Sequence, residues 1–323
     1  MQPNEQWRPL AEVLLGKATY TPLDVARETG FAIDELRRLW RALGFPPVPD
    51  DEPFFTEAEI QILRALRQLT DLQLTEPRSL LLLTRVTGQS VARIADAQVT
   101  DASVRLDRRA QETSPEAART ELIQRIEVLA GAFDQLLSYV WRRHLLASVM
   151  RLSATPSAAD RELTVGFADL VGFTALSLAL DAQELAATVE RFEATAYEHI
   201  VERGGRVVKV IGDEVMFAIE DGAVAAEIAL ELVEAYAQDP DLPDVRVGLA
   251  YGPTLAWQGD LFGPTVNLAS RLVNFARPRS VLLSEELGQA LHTLAQFSLR
   301  HLRPVRLQGI GSVRPWVLRR ADQ

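Results

Sequence analysis

The sequence predicts an α+β chain in which an all-helical part precedes a mixed sheet-and-helix part. Three observations carry that reading. Residues 1–152 keep apolar side chains at helical spacing almost throughout. At "ELTVGFAD" the apolar period drops to two, with Leu163, Val165 and Phe167 on one side, which reads as a strand. The elements that follow run in β-α-β-β-α-β order with additions, which suggests an antiparallel-rich, ferredoxin-like sheet with helices on one face. Between the two parts, "SATPSAAD" at 153–160 is small, polar and proline-containing, and reads as a linker.

Thr21-Pro22 opens a helix with a hydroxyl cap and a proline in the first turn. "TPLDVARETGFAIDELRRLWRALGF" breaks at Gly30 and gives a second helix ending at Gly44, a helix-turn-helix pattern. A proline-rich loop leads to a helix capped by Thr56, and further helices are expected near 76–88, 89–98, 115–135 and 136–150. Beyond the linker come the strand at 162–168 and a helix at 181–203 that stops at Gly204-Gly205. "RVVKVIGDEVMFAI" is two apolar runs around Gly212-Asp213, a hairpin. A helix at 221–238, the strand "VRVGLAYG" and the helix "GPTVNLASRLVNFA" follow. "SVLLS", "FSLRHL" and "RPVRLQGIGSVRPWVLRR" supply more strand, with a glycine turn at 309–311.

Composition narrows the function. The chain has 323 residues, 47% hydrophobic and 24% charged, which is globular rather than disordered. A net charge of -10 argues against broad nucleic-acid binding, since a phosphate backbone needs a basic face. No cysteine is present, so neither a disulfide framework nor a thiolate metal site is available. The start has no basic segment followed by a long apolar run, and stretches such as LLLL at 80–83 are too short to span a bilayer. A cytoplasmic protein with no membrane partner is expected. Almost all basic residues are arginine; the lysines are Lys17 and Lys209.

Acidic residues in apolar surroundings point to chemistry. In "GFADLVGFTALS", residues 166–177, Asp169 closes the first strand beside a glycine turn, and Asp213 sits in the turn of the 206–219 hairpin. If the two strands are neighbours, the two acids converge. Paired carboxylates on rigid backbone suit Mg2+, which prefers oxygen ligands and shares them with phosphates. Glycines beside both acids let a phosphate approach the backbone. Taken singly, each aspartate also fits a solvated turn.

The combination is more specific. "FADLVGFT", then "KVIGDEVMF", then "GDLFGPTVNLASRL" at 259–272, in that order, resembles the class III nucleotidyl cyclases over roughly residues 162–319. The resemblance implies an adenylate cyclase that converts ATP to 3',5'-cyclic AMP and pyrophosphate under the control of the N-terminal helical domain; the alternative is a non-catalytic nucleotide-sensing or DNA-binding regulator with a cyclase-like domain. It implies that Asp169 and Asp213 bind two divalent cations, Mg2+ or Mn2+, with the Leu170 carbonyl as a further ligand. It implies that Lys209 and Asp260 read adenine, that Asn267 orients the ribose, and that Arg271 stabilises charge on the reacting phosphate. The physics agrees: adenine offers an acceptor at N1 and a donor at its 6-amino group, which a lysine and an aspartate match, and a planar cation suits a pentavalent phosphorus. It also implies a head-to-tail homodimer with shared active sites, because the family divides these roles between two catalytic domains. Asp260 is expected in a loop, and Trp257 and Phe262 near it read as core.

One position departs from the family. Its final hairpin commonly carries a lysine for the triphosphate, and here Gln308 stands there, with Arg306 and Arg314 nearby. Residues 21–68 resemble the DNA-binding head of MerR-type regulators, but Asp34 and Glu35 open the second helix and would repel phosphate, so DNA is not expected as a partner. Residues 1–152 are similar instead to the helical regulatory domain of bacterial class III cyclases, some of which respond to pH. The helix at 115–150 would couple that domain to the catalytic one at 161–323, with His144 a candidate proton sensor.

Overall fold

A computed structural model describes residues 7–112, 114–153 and 161–321. Contacts divide the chain into two compact units, residues 1–150 and 151–323. Among the described residues no helix is long and apolar enough to cross a membrane.

The first unit is helical: α1 (Arg8–Leu15), α2 (Pro22–Thr29), α3 (Ile33–Ala42), α4 (Glu57–Asp71), α5 (Pro77–Glu112) and α6 (Pro115–Ser153). The Thr21 hydroxyl accepts from the Asp24 N–H at 3.1 Å while Asp24 accepts from the Thr21 N–H, so two orphan donors are satisfied where α2 begins. Gly30 ends α2 in the left-handed region at φ 75°. Val25, Phe31, Leu39, Phe55, Ile60 and Leu80 form the core of this unit. The expected breaks inside 76–98 and 115–150 are absent, and each stretch is one long helix. Gly88 is not a helix breaker but a contact: a Cβ there would lie 2.5 Å from the Leu43 carbonyl oxygen, so α5 packs directly on the end of α3. Ser153 belongs to α6, and the rest of the expected linker, 154–160, lies outside the described residues.

The second unit opens with β1 (Arg161–Leu170), α7 (Phe173–Ala179) and α8 (Ala182–Glu202), then β2 (Arg206–Ile211), β3 (Glu214–Ile219) and α9 (Gly222–Gln238). It continues with β4 (Val245–Trp257), β5 (Asp260–Phe262), α10 (Pro264–Phe275), β6 (Val281–Leu283) and α11 (Glu285–Leu291). It ends with β7 (Phe297–His301), β8 (Val305–Leu307), β9 (Gly311–Val313) and β10 (Trp316–Arg320). The main sheet has the order β2-β3-β1-β4-β6-β10-β7, with β5 added to β4; β8 and β9 form a separate hairpin. The pairings are antiparallel except β4 with β6.

Helices cover both faces of this sheet, which corrects the one-face expectation. Along β1 the side chains alternate. Ala168 and Leu170 join Phe192 and Ile200 of α8 and Ile228 and Leu232 of α9 in the larger core. Val165 and Phe167 join Met216, Ala250, and Ala269 and Val273 of α10 in a second core on the opposite face. Burying a side chain such as Phe217 or Leu249 contributes about 1.5–3 kcal/mol, and both are fully buried. The Tyr236 hydroxyl donates to the Phe192 carbonyl at 2.6 Å and ties α9 to α8. On the second face Gly248 allows direct contact: a Cβ there would lie 2.3 Å from the Val273 nitrogen, so α10 rests on the backbone of β4.

Candidate active site

Strands β1 and β3 are neighbours, with Asp169 across from Glu214. The Leu170 N–H donates to the Asp213 carbonyl at 3.1 Å, so the two aspartates end at the same edge. Gly212, at φ 63°, makes the tight turn that brings Asp213 there. Strand alternation sets the side: Asp169 continues the series Val165, Phe167, and Glu214 continues Ala218, Met216. Both carboxylates therefore belong to the face that α10 covers.

A third strand supplies the counter-charge. Arg246 on β4 stands across from Asp169. Its Nε and Nη2 both reach Oδ2 of Asp169, at 2.7 and 2.6 Å, and its Nη1 donates to the Asn274 carbonyl of α10 at 3.1 Å. Burial pushes the Asp169 carboxyl above its ordinary value; the Arg246 guanidinium opposes that shift and the Asp213 charge adds to it. Burial, then the charges of Asp169 and Asp213, push Glu214 up to about 7.

These groups fit a hard divalent cation. The donors are carboxylate oxygens, two of whose carboxyls are raised first by burial and then by neighbouring charge, and Oδ1 of Asp169 has no partner among the described residues. No group of three or more acidic or histidine side chains is arranged to hold a metal by itself among the described residues. A cation here would take its remaining oxygens from a phosphate or water, as Mg2+ does.

The second cluster lies across β2 and β5. Lys209 stands opposite Met216, just past a register shift at Val207/Lys209. Its Nζ donates to Oδ2 of Asp260 at 2.5 Å, and the other oxygen of Asp260 accepts from the Leu261 N–H at 2.7 Å. Asp260 is not in a loop: it opens β5, opposite Trp257 on a short hairpin. Trp257 and Phe262 are exposed on that hairpin rather than in the core, because only Leu261 of its three residues turns inward.

Asn267 and Arg271 share one exposed stripe of α10, four residues apart. Neither side chain hydrogen-bonds to the acidic groups or to the Lys209–Asp260 pair among the described residues. Gln308 is exposed in the turn between β8 and β9, and Arg306 and Arg314 are exposed beside it. His144 is exposed on α6. Within one chain, then, Asp169 lies beside Asp213, Lys209 meets Asp260, and Asn267 and Arg271 make no hydrogen bond to either pair among the described residues. Sequence reasoning missed Arg246 and Glu214. A faint signal existed for the first, since an arginine inside the apolar strand "VRVGLAYG" needs a partner.

Known proteins resemble both halves of the chain. The family model for the adenylate and guanylate cyclase catalytic domain matches residues 156–320, and that for the adenylate cyclase regulatory domain matches residues 9–153. An adenylate cyclase of Streptomyces coelicolor is 38% identical over 342 residues, spanning 96% of this chain and 88% of its own length. A pH-sensitive adenylate cyclase of Mycobacterium tuberculosis is 30% identical over 92% of this chain and 77% of its own length. Among solved structures, the catalytic core of a rhodopsin-guanylyl cyclase with converted specificity, in complex with ATPalphaS, aligns with a TM-score of 0.47 at 24% identity, covering 50% of this chain and 98% of that one. With one family model over about half of its length and a relative matched nearly end to end, the chain belongs to the family of the adenylate and guanylate cyclase catalytic domain.

Proposed function

We propose that this chain is an adenylate cyclase, converting ATP to 3',5'-cyclic AMP and pyrophosphate. The observation that carries the base preference is the Lys209–Asp260 pair. A lysine donates to N1 of adenine and an aspartate accepts from its 6-amino group; guanine presents the reverse pattern. Relatives named adenylate cyclase support the same choice.

Divalent cations serve this family's catalytic domain. Asp169 and Asp213, with the Leu170 carbonyl, would hold two of them, Mg2+ or Mn2+, whose charge would lower the pKa of the ribose 3'-hydroxyl. Asn267 orients the ribose so that the 3'-oxygen lies in line with the α-phosphate. That oxygen attacks phosphorus, its proton leaves to solvent, and the bond to pyrophosphate breaks. Arg271 stabilises the charge that grows on the phosphoryl oxygens. Positioning and charge supply most of the rate.

Each site draws on two chains in a head-to-tail homodimer. One chain gives Asp169 and Asp213, and the other gives Lys209, Asp260, Asn267 and Arg271. The exposure of Asn267 and Arg271 on α10, with no hydrogen bond to Asp169 of their own chain, supports this division. Residues 1–152 act as a helical regulatory domain and residues 161–323 as the catalytic domain, in a cytoplasmic protein. Purified protein incubated with ATP and either Mg2+ or Mn2+ should yield cyclic AMP, read by chromatography against a standard. No cyclic AMP from a folded dimer with either metal overturns the reading.

A further inference from the structure

The main sheet ends on β7, which pairs with β10 and with no other strand among the described residues. The Leu302 N–H donates to the Pro315 carbonyl at 2.8 Å, and the Ala321 N–H donates to the Gln296 carbonyl at 3.0 Å. Between these two bonds the register runs through Arg300↔Val317 and Ser298↔Arg319. In an antiparallel pair every second residue exchanges bonds with the partner strand. The backbone of Ser298 and Arg300 therefore faces β10, and Leu299 and His301 turn their N–H and C=O to the open edge. Neither Leu299 nor His301 has another backbone partner among the described residues.

Charge marks the same edge. From Leu287 to Ala321 the chain carries Arg300, Arg303, Arg306, Arg314, Arg319 and Arg320 and no aspartate or glutamate, in a protein of net charge -10. Arg320 is held by Glu227 and Glu234. Arg300, Arg303 and Arg319 are exposed and have no carboxylate partner among the described residues. Arg300 on β7 and Arg319 on β10 are diagonal neighbours on one face of the sheet, and Arg303 lies just past the end of β7. One charge is enough to guard an edge strand against aggregation; three of one sign select what can pair with it. A second copy of β7 is a poor occupant, because antiparallel pairing of two such strands sets arginine against arginine. A long polyanion such as nucleic acid meets outward carbonyls and a protein of net negative charge. An extended acidic polypeptide fits both features: its backbone continues the ladder, and its carboxylates meet the guanidinium groups.

We propose that β7 is a docking edge for an acidic, extended polypeptide segment, which adds a strand to the sheet beside Arg300, Arg303 and Arg319. β7 stands at the opposite end of the strand order from β2 and β3, so the proposal holds whether or not the cyclase reading does.

The test uses the full chain and a fluorescein-labelled peptide of alternating glutamate and threonine, read by fluorescence anisotropy at low salt. Saturable binding is expected, and no binding overturns the proposal. The same peptide N-methylated at every residue keeps its charge and loses its donors; it should bind at least about tenfold more weakly. Equal affinity for the two peptides would reduce the edge to a charge patch and sink the added strand. A peptide of alternating lysine and threonine should not compete, and competition by it would remove the arginines from the account. Arg300→Glu and Arg303→Glu should each weaken the acidic peptide by about tenfold, with circular dichroism unchanged because both side chains are exposed. Unchanged affinity in both variants overturns the site.

Amide hydrogen exchange locates the contact. Bound peptide should slow exchange at Leu299 and His301 by about tenfold and leave Ser298 and Arg300, already bonded to β10, little changed. Protection elsewhere with none at Leu299 and His301 would place the peptide on another surface. A thymidine oligonucleotide that binds more tightly than the peptide and displaces it would make this a nucleic-acid surface, and the polypeptide proposal would fail.

Discussion

The two charge pairs of the candidate site, Asp169–Arg246 and Lys209–Asp260, are built in opposite ways. Asp169–Arg246 joins two central strands whose register runs unbroken from Arg161↔Thr254 to Leu170↔Val245. Its side chains are only 14% and 27% exposed. Lys209–Asp260 joins the edge strand β2, just past its register shift, to the three-residue β5, and its side chains are 33% and 28% exposed. The difference follows from the proposed tasks. A metal ligand must be held before substrate arrives, so it sits where neighbouring strands over-determine it. A base-reading pair must open for its ligand. A partly solvated ion pair is worth about 0–1 kcal/mol, so exchanging it for hydrogen bonds to a base is cheap. Until then each charge satisfies the other.

This contrast can be broken by substitution. The largest effect belongs to the rigid region. Asp169→Ala or Asp213→Ala should lower kcat by on the order of 10³-fold, as when a preorganised charge site is lost. Circular dichroism should stay close to wild type, because neither change empties a core position. Near wild-type turnover in either variant would remove that residue from the site.

Next comes Arg271→Ala, expected to lower kcat by about 10²–10³-fold with KM for ATP within a few-fold, since the guanidinium acts on charge that develops in the transition state. Arg271→Lys should recover part of the loss but not all, because an ammonium lacks the fork. A pure KM effect would reassign Arg271 to ground-state binding.

The adaptable pair should show smaller, substrate-dependent effects. Lys209→Glu or Asp260→Cys should each lower kcat/KM for ATP by about tenfold to a hundredfold, the range for a lost hydrogen bond to a charged group. Together they should narrow the preference for ATP over GTP. Unchanged ATP kinetics in both single variants would take the pair out of the base pocket.

The smallest effect concerns pH. Burial and two neighbouring aspartates raise Glu214 to about 7 from an ordinary 4.5. A carboxyl whose folded value lies above its unfolded one binds its proton more tightly when folded. Its penalty on stability is therefore full above pH 7 and fades as pH falls towards 4.5. Glu214→Gln should raise Tm by roughly 2–4 °C at pH 8 and by almost nothing near pH 5. Equal shifts at both pH values would show that the carboxyl is not perturbed.

Much of this protein is written in local sequence. The drop in apolar period at residues 162–168, the hydroxyl-proline start at Thr21-Pro22 and the glycine turn before Asp213 fix element type and order, because they act over a few residues. The acidic residues at turns, and a lysine at position 209 in an arginine-rich chain, made the candidate site legible as well. What tertiary structure decided is of longer range. Gly88 proved to be a packing contact with Leu43 rather than a break, and Trp257 and Phe262 proved to be exposed. α10 lies on the sheet face opposite α8 and α9. Arg246 reaches Asp169 across 77 residues of sequence. Glu214 becomes unusual only because β1 and β3 set it beside Asp169. Strand order and register bring such groups together, and they depend on which apolar faces can be buried at once, a property of the whole sheet and its helices that no short window of sequence contains.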